Sequence, residues 1–152
     1  MHTAVYNPAF AALAADDTVA DAAVRMLSDR VTDLPVVDAA GRLVGMFRLE
    51  RLFGLLLPKA ALLGDGVPDL AFVSDTLEEL RERMRDVDDQ QVGELVVPPE
   101  HVVRPETSPL EIVLLLYKGA NNVPVVESAS GRLVGMISAR DVLEALQRTG
   151  SE

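Results

Sequence analysis

The sequence predicts a mixed α/β (α+β) fold in which one unit of strand, helix, strand, strand and helix occurs twice. The first observation is an internal repeat, because the segment GRLVGM at 41–46 returns unchanged at 131–136. The second is a helix start signal upstream of each copy. The third is composition: 49% of the 152 residues are hydrophobic, yet the chain has only two tyrosines, four phenylalanines and no tryptophan. Val, Leu, Ile, Ala and Met must therefore build the core, which suits a mixed α/β domain.

Each copy of the repeat predicts a β-hairpin. In the first copy, the apolar run 34–37 leads into a small polar turn with Gly41 and then into a second apolar run. In the second copy, the run 123–126 leads into a turn that is one residue longer and contains Gly131. Apolar runs joined by short turns with glycine are typical of antiparallel hairpins. A segment of helical character follows each hairpin.

A helix is predicted before each hairpin. In the first copy, Asp17-Thr18 provides the start signal, and an apolar stripe with i, i+3, i+4 spacing follows. The stripe consists of Val19, Ala22, Ala23, Met26 and Leu27. In the second copy, Ser108 is the predicted cap, with Pro109 at the first helical position and Glu111 three residues after the cap.

The second of these helices is predicted over 110–117 and is apolar on almost every face. We therefore expect it to be buried all round, either between the two copies or at a subunit contact. A short strand is also predicted before each upstream helix, most clearly in EHVVRP at 100–105.

The domain organisation follows from the size of the repeat. Each unit spans roughly fifty residues, which is too few to bury a stable core alone, so the two units are expected to pack into one module. Residues 1–57 are predicted to form motif 1 and residues 92–148 motif 2, with 58–91 as an insertion that holds one helix. That helix is predicted to begin at Asp75 or Thr76. Its docking stripe is Leu77, Leu80, Met84 and Val87.

The doubled PVV…GRLVGM phrase, the helix before each copy and SARDV at 138–142 together resemble the CBS family, named for cystathionine β-synthase. Its motifs occur in tandem pairs called Bateman modules. The resemblance implies two β-α-β-β-α motifs related by a pseudo-twofold axis, with two clefts between them. It also implies an adenosine-type ligand such as AMP, ADP, ATP or S-adenosylmethionine, a regulatory rather than catalytic role, and a homodimer formed through helices.

The family's ligand signature is Ser or Thr followed three residues later by Asp, and Ser138 and Asp141 match it. The Asp141 carboxylate can accept hydrogen bonds from two ribose hydroxyls, while the Ser138 hydroxyl and the free amides of a helix N-terminus can meet a phosphate. An alternative is that the same residues form a helix capping box. The resemblance also implies that residues of both motifs complete the cleft. Met136 and Arg140 would face Val31, Thr32 and Asp33.

The first copy has lost this signature. Its matching residues are Arg48, Leu49, Glu50 and Arg51, and a guanidinium cannot accept a hydrogen bond from ribose. Arg51 could face phosphates instead, or Arg48 and Arg51 could be solvated helix residues. We therefore predict one competent nucleotide cleft per chain and one degenerate cleft.

The charge, the length of the apolar runs and the numbers of cysteines and histidines exclude several classes of function. A net charge of −10 with no basic cluster argues against nucleic acid. No apolar run approaches the ~20 residues of a membrane span, and the N-terminus lacks a basic region, so a cytoplasmic protein without membrane contact is expected. No cysteine is present and the two histidines, His2 and His101, are far apart, so neither a metal site nor an enzyme is predicted.

Two functions remain open. The first is a regulatory adenine-nucleotide sensor that signals through its oligomer or through an unidentified effector protein. The second is a CBS pair without ligand that serves as a dimerising scaffold.

Overall fold

The computed structural model describes residues 6–57 and 76–148, and it confirms a mixed α/β fold. The first half contains β1 (Leu13–Ala14), α1 (Val19–Asp29), β2 (Asp33–Val37), β3 (Leu43–Arg48) and α2 (Leu49–Leu56). The second half contains α3 (Leu77–Val87), a 3-10 helix (Val92–Glu94), α4 (Pro109–Tyr117), β4 (Val123–Val126), β5 (Leu133–Ile137) and α5 (Ala139–Gln147).

Each half contributes one antiparallel hairpin to its own sheet. Strand β2 pairs with β3 and is joined by the parallel strand β1, whereas β4 pairs with β5. The strand predicted over 100–105 is shorter than expected, since only Val103 makes a parallel bridge, with Val125. The reason is local: the Arg104 N–H donates to the Thr107 hydroxyl at 2.9 Å, so the chain turns away from the sheet after Val103.

The tips of the two hairpins pair with one another. The Leu43 N–H donates to the Gly131 carbonyl at 3.2 Å, and the Leu133 N–H donates to the Gly41 carbonyl at 3.0 Å. Both glycines have a positive φ, 81° at Gly41 and 75° at Gly131, a left-handed conformation that other residues adopt only with strain. The same turn therefore makes the same contact twice, which is the pseudo-twofold relation between the halves.

The second glycine of each phrase, Gly45 or Gly135, is crossed by a segment of the other half. We call these the lead-in segments; they are residues 6–12 in motif 1 and residues 95–102 in motif 2. Met46 exchanges two backbone hydrogen bonds with Val97, at 2.8 and 2.9 Å. Met136 exchanges two with Asn7, at 2.8 and 3.1 Å. A Cβ at Gly45 would lie 2.9 Å from the Val97 carbonyl oxygen, and one at Gly135 would collide with the ring of Tyr6. Glycine is needed at both positions, so the repeated phrase encodes the contact between halves.

The hydrophobic core follows the same plan. One cluster fills the first half around Val36 and Phe47, and a second fills the other half around Val125 and Ile137. A third cluster lies between the halves and consists of Met46, Val126, Leu133 and Met136. The two motifs thus share a core, as their small size requires.

The first helix of each half begins as predicted. The Thr18 hydroxyl caps α1, and the Ser108 hydroxyl caps α4 by accepting from the Glu111 N–H at 3.2 Å. Along the α1 stripe, Val19, Ala22 and Met26 are buried. Leu27 is 81% exposed, so the prediction was wrong for this residue. It lies at the edge of the stripe.

Helix α4 is not buried all round within the chain. Only Ile112 is fully buried, whereas Leu110 is 81% and Tyr117 86% exposed. Of the two alternatives, burial between the copies is wrong, because one helix lying on a small sheet can be covered on one side only. Burial at a subunit contact stays a prediction. Val113 and Leu114 extend the exposed apolar surface.

Part of the insertion docks on motif 1. Helix α3 begins after Thr76, whose hydroxyl accepts from the Glu79 N–H at 3.2 Å, and it packs against α2. Val87 is buried, but Leu77 is 64% exposed, so the predicted stripe docks by its C-terminal part. Residues 58–75 of the insertion, including Asp75, lie outside the described residues. Within residues 6–57 and 76–148, no helix is long and apolar enough to cross a bilayer.

Candidate functional site

Two clefts lie between the halves, and each draws residues from both. The first, cleft A, has a volume of about 410 Å³, and the second, cleft B, about 180 Å³. Cleft A is lined by the start of α5, β5, the lead-in segment and the residues before β2, chiefly Asn7, Phe10, Asp29, Val31, Asp33, Asn122, Met136, Ser138 and Asp141. Cleft B is lined by their counterparts, chiefly Thr32, Asp33, Met46, Arg48, Glu50, Glu100, His101, Asn121 and Asn122.

The start of α5 forms one wall of cleft A. Ser138 has extended backbone geometry, and its hydroxyl accepts from the Asp141 N–H at 3.1 Å. In return, Oδ2 of Asp141 accepts from the Ser138 N–H at 2.9 Å. The capping box considered from the sequence is therefore present. Oδ1 of Asp141 has no hydrogen-bond partner among the described residues, which leaves an acceptor available within the cleft.

The same capping box occurs at the start of α1, away from both clefts. The Thr18 hydroxyl accepts from the Asp21 N–H at 3.2 Å, and Asp21 accepts from the Thr18 N–H at 3.0 Å. That backbone hydrogen bond holds the pKa of the Asp21 carboxyl below its usual range. Asp21 is exposed and lines neither cleft. What distinguishes Ser138 and Asp141 is their position at the cleft, because the capping geometry is common to both helices.

The structure brings five of the seven predicted site residues together in cleft A: Val31, Asp33, Met136, Ser138 and Asp141. Thr32 lines cleft B instead, since neighbouring residues at the start of a strand point in opposite directions. Arg140 lies on the outer surface of α5, where its Nε donates to Glu144 at 3.4 Å and its side chain is 87% exposed. It follows Ser138 by two positions, and such residues do not share a helix face.

Asn122 is a cleft residue that the sequence reasoning missed. Its Nδ2 donates to Oδ1 of Asp33 at 2.7 Å, and both residues line both clefts. Aligning the two copies places Asn122 opposite Asp33, one residue before Leu34 or Val123, so the repeat itself carried the signal. The pair forms the wall that the two clefts share.

Cleft B has an arginine where cleft A has a serine. Arg48 stands where Ser138 stands in the other half, but it makes no side-chain cap for α2. Its Nη2 lies 3.5 Å from Oε1 of Glu100, which belongs to the lead-in segment of motif 2. Nε of Arg48 is buried and has no hydrogen-bond partner among the described residues. Arg51 lines an adjoining recess that shares Arg48, Glu50 and Glu100 with cleft B.

Comparison with known proteins identifies the family. A family model described as CBS domain matches residues 4–58 and 92–148. The CBS domain-containing protein CBSX2, chloroplastic, of Arabidopsis thaliana is 30% identical over 131 residues, which are 84% of this chain and 55% of that protein. The chain thus spans about half the length of this curated relative.

Two solved structures share the fold. A CBS domain-containing protein from Kribbella flavida aligns with a TM-score of 0.71 at 22% identity, over 93% of this chain and 95% of that one. A crystal structure of CBSX2 in complex with AMP aligns with a TM-score of 0.65 at 26% identity, over 96% of each chain. The clefts belong to a tandem CBS fold, and this chain belongs to the CBS domain family.

Proposed function

We propose that this chain is a regulatory adenine-nucleotide-binding module with one competent cleft, cleft A. Its ligand would be AMP, ADP, ATP or S-adenosylmethionine, and its role is binding rather than catalysis. The observation that carries the proposal is the position of Ser138 and Asp141 at a cleft of about 410 Å³, within the range of ~300–1,000 Å³ typical of ligand sites. The relative CBSX2, crystallised with AMP, supports this class of ligand.

Each cleft residue has a proposed task. Asp141 accepts hydrogen bonds from the ribose hydroxyls through the oxygen that the capping box leaves free. Ser138 and the first amides of α5 meet the next polar group of the ligand. Val31 and Met136 form the aliphatic walls for adenine, and Asp33 offers a hydrogen bond to its edge.

Cleft B is proposed to remain empty of nucleotide. Its volume of about 180 Å³ is below that of typical ligand sites, and the ion pair of Arg48 with Glu100 spans it. A ligand there would have to displace Arg48 from Glu100, whose side chain is 70% exposed.

The module is proposed to act through other chains. In this assignment, residues 1–57 and 92–148 act as the two motifs and 58–91 as the insertion between them. A homodimer is the proposed assembly, because Leu110, Leu114 and Tyr117 on α4 and Leu143 and Leu146 on α5 are exposed apolar side chains. A ligand can change such an assembly only by binding one of its states more tightly.

A second candidate function is a dimerising scaffold without a ligand. The complete capping box favours it, because that box explains Ser138 and Asp141 without any nucleotide. The exposed face of α4 is compatible with both functions.

A thermal-shift titration separates the two. We expect one of AMP, ADP, ATP or S-adenosylmethionine to raise the melting temperature of the wild type, since a ligand at a hundredfold excess over its Kd adds about 2.7 kcal/mol. Asp141→Asn should abolish that shift while keeping an oxygen that can accept from the Ser138 N–H. Asp21→Asn, the matched change in the box of α1, should leave the shift intact. If no compound raises the melting temperature of the folded wild type or of a folded variant, the scaffold function is supported instead.

A further inference from the structure

The charges of cleft A select among adenosyl ligands, an inference that rests on the function proposed above. Three carboxylates line the cleft, those of Asp29, Asp33 and Asp141. Asp29 is the last residue of α1 and Asp33 the first of β2, so both belong to motif 1 and lie across from Asp141 of motif 2. Among the described residues that line the cleft there is no Lys, Arg or His.

Within the described ranges, no cationic side chain pairs with these carboxylates. Asp33 accepts from the Asn122 amide at 2.7 Å, and Asp141 accepts from the Ser138 backbone at 2.9 Å. Asp29 accepts from the hydroxyl of Ser28 at 3.3 Å. All three donors are uncharged, and none of the three acids has an ion-pair partner within the part of the chain that the structure describes. Their negative charge is therefore available to act on whatever enters the cleft.

The nearest arginines do not change this balance. Arg140 is held by Glu144 on the outer surface of α5. Arg148 borders an adjoining recess together with Tyr6, but that recess also contains Glu144 and Asp141. Arg30 follows Asp29 in the chain and does not line the cleft. A ligand in cleft A thus faces three carboxylates, with no arginine among the described residues that line the cleft.

We infer that cleft A accepts an adenosyl compound whose tail is neutral or cationic and disfavours a polyphosphate tail. Each added phosphate brings further negative charge into a cleft that already holds three carboxylates, among them the exposed Asp29, and like charges repel. A sulfonium or ammonium group in the same place would be attracted. This makes Asp29 a specificity-determining residue, although it needs no contact with the base or the ribose.

Isothermal titration without divalent cations tests this inference, using adenosine, S-adenosylmethionine, AMP and ATP as probes. We expect affinity to fall along that series from the first two to ATP, by at least about tenfold overall. Asp29→Asn should raise the affinity for ATP several-fold and Asp29→Lys should raise it further, while adenosine binds each variant within about twofold of the wild type. The control is Asp86→Lys, because Asp86 is exposed on α3 and lines neither cleft, so the same change in net charge should have no effect.

The outcomes separate this inference from the function on which it rests. If ATP binds as tightly as adenosine, or if the Asp29 variants change both affinities equally, charge selection is wrong and nucleotide binding stands. If no adenosyl compound binds the folded wild type, both are wrong. Raising the salt concentration should narrow the gap between adenosine and ATP, since screening weakens repulsion.

Discussion

The two clefts begin with the same phrase and end differently. Both use the GRLVGM segment to join the halves, yet cleft A continues with Ser138 and Asp141 whereas cleft B continues with Arg48 and Arg51. Cleft A, with Ser138 and Asp141, has a volume of about 410 Å³. Cleft B has a volume of about 180 Å³, and Arg48 pairs with Glu100 at its wall. The comparison teaches that the repeat determines the frame, while the residues just after it determine whether a cleft can receive a ligand.

The difference extends to the helices that follow. Helix α5 begins with a complete capping box, whereas α2 begins at Arg48 without any side-chain cap. A lost N-cap typically costs about 1 kcal/mol, so the change that closes cleft B also weakens the start of α2.

We expect the largest effect when cleft B is given the residues of cleft A. We expect Arg48→Ser with Arg51→Asp to restore the ribose signature, to remove the ion pair with Glu100 and to raise the number of nucleotides bound per chain from one to two. Equilibrium dialysis at saturating nucleotide measures this number.

The single variant Arg51→Asp is the matched control, because it keeps the pair of Arg48 with Glu100 and should still bind one nucleotide. A double variant that folds and binds only one nucleotide would show that more than these residues closes cleft B.

A second prediction concerns the frame that the clefts share. Gly135→Ala should destabilise the fold by about 1–3 kcal/mol, because the new methyl group collides with the ring of Tyr6. Adding Tyr6→Ala should recover part of that loss in urea unfolding, since the obstacle is a side chain.

Gly45→Ala sharpens the test, because its methyl group would meet the Val97 carbonyl oxygen at 2.9 Å and no side-chain truncation can remove a backbone atom. Equal losses in Gly135→Ala with and without Tyr6→Ala would contradict this account of the glycines.

The smallest expected effect lies in the hairpin turns. The backbone N–H of Arg42 donates to Asp38 at 2.9 Å and holds the pKa of the Asp38 carboxyl below its usual range. A carboxyl with a lowered pKa in the folded state stabilises that state above its unfolded pKa, and the contribution disappears as pH falls through the folded value. In the other turn, Glu127 accepts from the Ser130 hydroxyl instead.

We therefore expect Asp38→Ala to be less stable than the wild type at pH 7 and equally stable at the acid end of the titration, as measured by urea midpoints across pH. The effect should be small because Asp38 lies at the protein surface. A difference that grows as the pH falls would have the wrong sign for this interpretation.

Much of this architecture could be predicted from the sequence, because the repeat, the caps at Thr18 and Ser108 and the hairpin turns are local signals. The exposure of α4 could not be predicted, because an apolar composition does not show whether the helix is covered by its own chain or by another. The placement of Thr32 and Arg140 could have been predicted, because strand alternation and helix spacing determine which side of an element each residue occupies. The pair of Arg48 with Glu100 joins residues far apart in the chain, and only the folded structure brings them together.

The most direct test of the central claim is the number of nucleotides that one chain binds in isothermal titration with AMP. We expect one site per chain in the wild type, no site in Asp141→Asn, and one site in Asp21→Asn, whose capping box lies away from the clefts. Two equal sites in the wild type, or one site that survives in Asp141→Asn, would contradict the assignment of nucleotide binding to cleft A alone.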